Sequence, residues 1–174
     1  MTETPQCPFC MIKEGTLPTS KVFEDGEFIG AMEIRPANAG HVVLFPKDHF
    51  KTLQDLPDDL RDRFLSTAGM IAKALTQISE GVNILLSSDQ AAGQALEHIS
   101  LHIIPRFKDD KIVFAWNPKQ VEEGQMKELT EAVTNAIGAI NVPKKVEVKE
   151  VAEETNTNYE DLEKELTKPE ERKI

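Results

Sequence analysis

The chain holds two cysteines and four histidines, and all six lie in three short stretches, Cys7 to Cys10, His41 to His49 and His98 to His102. Thiolates and imidazoles are the usual protein donors to zinc, and a neutral imidazole is also a nucleophile, acid or base near physiological pH. Cys7-x-x-Cys10 has the spacing of half a metal site, of a redox pair or of two packed thiols. In a reducing compartment the first two readings outrank a structural disulfide. The third stretch sits in residues 94–106, Gln-Ala-Leu-Glu-His-Ile-Ser-Leu-His-Ile-Ile-Pro-Arg. On an extended strand alternate side chains share a face, about 7 Å apart. Ile99, Leu101 and Ile103 then belong to an apolar core face, and His98, Ser100 and His102 share the opposite one. The strand is expected over 95–104 and to stop at Pro105, which cannot donate to a ladder. Ala92-Gly93-Gln94, just before it, is a small-residue turn where an anion can approach the backbone N–H groups. The plain alternative is a half-buried strand whose polar face meets solvent.

The elements that must hold these groups are legible in outline. Residues 21–34 read as two strands around Asp25-Gly26, and a third strand runs from His41 to Phe45. Residues 46–57 are irregular, with room for one helical turn. A helix is predicted over 57–79, because Pro57, Asp58 and Asp59 suit a helix start and Leu60, Phe64, Ala68, Ile71, Leu75 and Ile78 form one apolar stripe ended by Gly81. Gly-Val-Asn-Ile-Leu-Leu is a strand, Lys111–Trp116 another short one, and a second helix is expected over 122–137. From Pro143 the composition becomes charge-rich with no glycine, which reads as a helical, partner-binding or disordered tail. The expectation is therefore an α+β domain over 1–142, an antiparallel sheet of about five strands with two helices, followed by a charged extension over 143–174.

Charge narrows the function. A net charge of −10, from 30 acidic and 20 basic residues without a basic patch, argues against a nucleic-acid partner. The N-terminus lacks the basic-then-apolar pattern of a secretory signal, and the longest apolar runs, such as Val42 to Phe45, are too short to span a bilayer. A cytoplasmic protein with no membrane partner is expected.

Gly93-Gln94, His98-x-Ser100-x-His102 and Ile104-Pro105-Arg106 together resemble the signature of the histidine triad (HIT) family, Gln-x-x-x-His-x-His-x-His and two apolar residues. Residues 36–49, Pro-Ala-Asn-Ala-Gly-His-Val-Val-Leu-Phe-Pro-Lys-Asp-His, are similar to the family's upstream segment, and the match runs from about Cys7 to Trp116. The resemblance implies a HIT-like fold, a homodimer and a small-molecule nucleotide ligand. In the family the middle histidine attacks an α-phosphate, giving a nucleotidyl-histidine that water resolves, while the flanking histidines and the glutamine stabilise the phosphate oxygens. Here Ser100 holds the middle position. Its hydroxyl is unionised at neutral pH and needs an adjacent base; His102 is the nearest free candidate, and no third group to orient it is evident.

The resemblance thus points to a purine nucleotide-binding protein, for AMP or another adenosine phosphate, with weak or absent hydrolase activity. One alternative is an active nucleotide phosphohydrolase or nucleotidyl transferase using Ser100 with His102, or water. Another is a zinc-stabilised adaptor whose tail recruits a protein partner. The implied catalytic set is Gln94, Ser100 and His102. Gly93, Gln94, Ser87, Ser100 and His102 would meet the phosphate side of a nucleotide. Glu33 stands where the family has an aspartate on the ribose hydroxyls, and Ile12, Phe23 and Ile34 could line an adenine slot. Ser87 and Asp89 replace an asparagine and a glycine of the family, and Asp89 adds negative charge. In the zinc-containing branch, positions matching His49 and His98 join the two cysteines, so Cys7, Cys10, His49 and His98 would close a structural Zn2+ site. His41 is read either as a hydrogen-bonded histidine at a strand start or as part of the phosphate pocket. Arg106 is assigned a structural ion pair, and Trp116 a place over the core or a dimer interface.

Overall fold

The computed structural model describes residues 7–140, and in it the alternating strand-like and helix-like stretches become five strands and three helices. In chain order these are α1 (Pro8–Glu14), β1 (Lys21–Glu24), β2 (Phe28–Met32), β3 (Val42–Pro46), α2 (Asp58–Leu75), β4 (Gly81–Leu86), β5 (Leu101–Arg106) and α3 (Glu123–Ala139). The strands form one sheet in the order β1-β2-β3-β5-β4, and every neighbouring pair is antiparallel. The expected α+β architecture with a five-stranded antiparallel sheet is observed. Among the described residues there are three helices rather than two.

Local chemistry sets the pattern. The β1–β2 turn is held by the Asp25 carboxylate, which accepts from the N–H groups of Glu27 and Phe28 at 2.8 and 2.7 Å. β2 and β3 are runs of apolar residues with no polar face, so the sheet must be covered on both sides in its middle. On one side lies α2, whose stripe of Phe64, Ala68, Ile71 and Leu75 packs on Phe28, Val42, Leu44, Leu101 and Ile103. Gly30 sits under this helix, where a side chain would press on Phe23 and Ile71. On the other side Ile29, Ala31, Val43 and Phe45 meet Ile12 of α1, with Phe9 packed against them. This second face is the one on which His102 stands, because His102 pairs with Val43 across the β3–β5 ladder.

Several expectations are corrected. A helix not expected from the sequence opens the described chain: Pro8 starts α1 and Gly15, at φ 76°, ends it, the usual proline-first and glycine-last arrangement. α2 ends at Leu75 rather than 79, because the Thr76 hydroxyl bonds Lys73 O and the Ser79 hydroxyl bonds Leu75 O, closing the last turn. Gly81 opens β4 instead of stopping the helix, and Ile78 is exposed. The histidine strand begins at Leu101, so His98 and Ser100 precede it. Pro105 lies inside β5. Its carbonyl meets the Asn38 side chain at 3.0 Å, on the side where β3 has already ended, so no ladder donor is lost there. Lys111–Trp116 is not a strand: Asp109 and Lys111 both have positive φ, and the Asp110 carboxylate gathers the N–H groups of Phe107 and Ile112 into a turn. That carboxylate also pairs with Arg106 at 2.6 Å, the ion pair expected of this arginine.

The first compact unit extends to Ala115, and the described residues 116–140 belong to a second. Trp116 is 84% exposed and caps no core. α3 matches the helix expected over 122–137 and carries no buried residue. The expected tail over 143–174 lies outside the described residues.

Candidate functional site

α1 brings Cys7 and Cys10 together, Cys7 at the position before its first residue and Cys10 one turn on. The stretch after β3 supplies His49, and the stretch before β5 supplies His98. These two stretches are tied by the Ile99 N–H donating to Phe50 O at 2.8 Å. The four donor atoms lie within 4.8 Å of one another. Cys7 Sγ is 3.3 Å from His98 Nδ1, Cys10 Sγ is 3.3 Å from His49 Nδ1, and Cys10 Sγ is 3.8 Å from His98 Nδ1. A tetrahedral ion with ordinary Zn–S and Zn–N bonds places sulfur and nitrogen about 3.6 Å apart. The donor set and its spacing therefore fit a metal ion with no coordination position left open. Outside the ring of donors, His98 Nε2–H donates to Pro46 O at 2.9 Å, which leaves Nδ1 as the lone-pair nitrogen facing the thiols. Burial pushes His98 down to about 4, so it is a neutral imidazole at pH 7. Burial and the neighbouring Cys7 push the Cys10 thiol up, a burden that a bound cation would reverse.

Beside this cluster, on the same side of the sheet, is a cavity of about 610 Å³. Its floor is Ala31, Val43 and Phe45, one wall is Pro8, Phe9 and Ile12 of α1, and another is the Gly93–Leu96 turn. Of the residues singled out in the sequence, Ile12, Glu33, Ile34, His41, Ser87, Gly93, Gln94, Ser100 and His102 line it. His98 does not: Ser100 and His102 face the cavity while His98 turns to the cysteines, so the three share no single environment. Phe23 is also misplaced by the sequence reading. It pairs with Gly30 and packs against the α2 core, on the opposite face of the sheet. Gln94 lines the cavity, yet its amide N–H groups go to Lys51 O and Leu96 O at 2.6 and 2.7 Å, and its carbonyl accepts from Asp89 N–H at 2.7 Å. Its role in the geometry is to shape the turn. That turn contains Gly93 at φ 88° and Asp89 at φ 70°, the second a conformation that disfavours any residue with a Cβ.

His41 is the residue the sequence left undecided. It is buried at the start of β3, and its Nε2 lies 3.0 Å from His102 Nδ1. The Ala37 N–H donates to His41 Nδ1 at 3.2 Å. With both rings neutral, these two bonds fix the protons: His41 carries its proton on Nε2 and donates it to His102 Nδ1, so His102 carries its own on Nε2. Burial lowers both histidines, His41 further so by its neighbour His102, against an opposing pull from Glu33. Both are neutral at pH 7. A third group orienting His102 thus exists, contrary to the expectation. It sets His102 to offer the cavity a donor rather than a base. The signal was present in the alternation His41-Val42-Val43, which puts His41 and Val43 on one face. Phe9 and Pro8 were missed with α1 itself.

An antiparallel five-stranded sheet bearing a Ser100/His102 cavity, closed by a glycine–glutamine turn and flanked by a Cys2His2 cluster, belongs to a known class. The HIT domain pattern matches residues 14–109, and the chain is a member of the HIT family. It is similar to an uncharacterized HIT-like protein of Borreliella burgdorferi, 35% identical over 129 residues that cover 71% of this chain and 93% of that protein. It is also similar to the adenosine 5'-monophosphoramidase HNT1 of Candida albicans, 31% identical over 116 residues, 63% of this chain and 76% of that one. Among solved structures, a zinc-bound histidine triad family protein from Mycobacterium smegmatis superposes with a TM-score of 0.60 at 32% identity, covering 77% of this chain and 97% of that one. No helix among the described residues is long and apolar enough to cross a membrane.

Proposed function

We propose that this chain binds a purine nucleotide, AMP or another adenosine phosphate, with weak or absent hydrolase activity, and that Cys7, Cys10, His49 and His98 hold a structural zinc ion. The observation that carries the reading is the Ala37–His41–His102 hydrogen-bond chain beside Ser100. Ser100 occupies the position of the family's nucleophilic histidine, and a serine there would need a base. The neutral His102 presents a proton on Nε2, not a lone pair. The alternative of a Ser100–His102 nucleophilic pair is disfavoured on this ground. The same arrangement suits anion binding: the His102 Nε2–H and the Ser100 hydroxyl are donors lining the cavity, whereas the Gly93 N–H is already donated to Gln90 O at 3.0 Å and shapes the turn instead. Glu33 would accept from ribose hydroxyls, and Ile12 and Ile34, with Phe9 and Phe45, would flank the base. Gln94 acts as a positioning residue. Zinc, when bound, supplies cross-linking rather than reactivity, since four protein donors complete its coordination. A homodimer in the cytoplasm completes the reading.

Titration calorimetry with AMP and turnover of a fluorogenic adenosine phosphoramidate test it. AMP should bind, and turnover should lie roughly a thousandfold or more below that of ordinary HIT hydrolases, the usual scale for loss of a nucleophile. Ser100→His should raise turnover. Turnover of the unaltered chain within about tenfold of such enzymes overturns the reading.

A further inference from the structure

α1 is fastened to the sheet by side chains alone. The backbone hydrogen bonds of its last turn and of the residues after it run to Ile12 O and Met11 O within the same segment, and among the described residues none reaches a strand. Seven residues are far too few for a helix to be stable by itself. Two kinds of contact remain. One is apolar, with the Phe9 ring stacked on Phe45 at 4.2 Å between centroids and Ile12 packed on the same patch. The other is the Cys2His2 cluster. The exposed Lys13–Asp48 pair at 3.0 Å adds little. Yet Pro8, Phe9 and Ile12 form a wall of the cavity. The residues that hold a metal and the residues that enclose a ligand are thus consecutive in one short helix.

We propose that Cys7 and Cys10 form an oxidisable clasp: joining them as a disulfide releases the cation, unfastens α1 and opens the cavity wall that α1 supplies. The inference rests on the metal and nucleotide reading given above. The two sulfurs lie within 4.8 Å of each other, and both cysteines are partly exposed, whereas the His98 ligand behind them is 1% exposed. They are the chain's two cysteines, so neither has a competing thiol within the chain. The oxidant is a peroxide. One thiolate attacks a peroxide oxygen, breaking the O–O bond and forming a sulfenic acid with release of hydroxide. The second thiolate attacks that sulfur, forming the S–S bond and expelling a second hydroxide. Both hydroxides take up protons to leave as water, so two thiolates lose two electrons and one peroxide gains them. The disulfide has no negative charge to offer a dication, and two imidazoles alone bind it weakly. A thiol reductant with zinc reverses the sequence.

The test uses the full chain, reduced and zinc-loaded, treated with hydrogen peroxide. Expected are loss of both free thiols without a cross-linked dimer on a non-reducing gel, release of one zinc per chain to a chromogenic chelator, and faster tryptic cleavage after Lys13 in α1, with the far-UV spectrum of the sheet retained. AMP affinity should fall at least tenfold and return on reduction with zinc. Cys10→Ser should be cut rapidly at Lys13 without peroxide and should not respond to it. Thiols that resist peroxide, an unchanged cleavage rate at Lys13 after zinc release, or unfolding of the whole sheet each overturn the clasp. If the reduced, zinc-loaded chain fails to bind AMP, the nucleotide reading falls; zinc release and cleavage at Lys13 still decide the clasp.

Discussion

His98 divides its two ring nitrogens between backbone and cluster: Nε2–H donates to Pro46 O at 2.9 Å, and Nδ1 faces Cys7 Sγ at 3.3 Å. The ring is buried and its tautomer is fixed by a carbonyl that cannot move without β3. Removing it should therefore remove a metal ligand and leave a buried hole at once. We expect His98→Ala to bring zinc below one equivalent per chain and to lower unfolding free energy by roughly 3 kcal/mol. Metal analysis and urea denaturation check this; a fully metallated variant of near-native stability contradicts it.

The His41–His102 pair predicts a pH dependence. Both folded-state values are depressed, His41 by burial and by His102, and His102 by burial. In the unfolded chain both titrate near the ordinary histidine value of about 6.5. Below that pH the unfolded state binds protons that the folded state does not, so stability rises with pH across the window and is lost as pH falls. The Cys2His2 cluster, where it holds the proposed metal, adds its own acid sensitivity, so the comparison must be between variants. Thermal melts from pH 7 to pH 5 should fall more steeply for the unaltered chain than for the His41→Gln/His102→Gln double variant. Equal slopes would count against neutral, buried rings.

The same pair sets ligand affinity. Without its partner His102 is free to choose either tautomer and to rotate. His41→Phe, which keeps an aromatic ring of somewhat larger size and removes the acceptor–donor link, should weaken AMP binding about fivefold to tenfold, the worth of one oriented hydrogen bond. Binding of adenosine, which lacks the phosphate, should change little. Equal losses for both would show that His41 acts on packing instead.

Asp89 offers the opposite experiment. Its φ of 70° is unfavourable for a residue with a Cβ, and it stands four residues before Gly93 in the turn that borders the proposed nucleotide cavity, without lining that cavity itself. Asp89→Gly should raise stability by about 1 kcal/mol and tighten AMP binding. A destabilised variant would mean that the Asp89 side chain holds the turn together by contacts outweighing its strain.

How much of this was legible in the sequence follows from what each element depends on. The antiparallel sheet and α2 were visible because their periodicities are strong and local: the apolar stripe from Phe64 to Leu75 and the apolar runs of β2 and β3 leave little choice. The limits of elements were less visible, since side chains decide them; the hydroxyls of Thr76 and Ser79 end α2, and the Asp110 carboxylate turns a strand-like stretch into a bend. α1 was missed because a seven-residue helix has almost no periodicity to read. In the site, the cluster of Cys7, Cys10, His49 and His98 was anticipated from residue types and the family pattern. His98 could not be seen to part from Ser100 and His102, since alternation assumes a strand that begins three residues later. Phe23 went to the wrong side because its face depends on the irregular register between Lys21 and Phe23. His41 was undecided for a simpler reason. Its partner His102 is 61 positions away, and only the β3–β5 pairing brings them together.

The Cys7–His98 contact spans 91 positions. During synthesis α1 therefore emerges well before the strand-leading segment that completes its seat, and a seven-residue helix has little stability of its own until that segment arrives. With the proposed zinc ion at the cluster, metal capture and the seating of α1 would be coupled, late events.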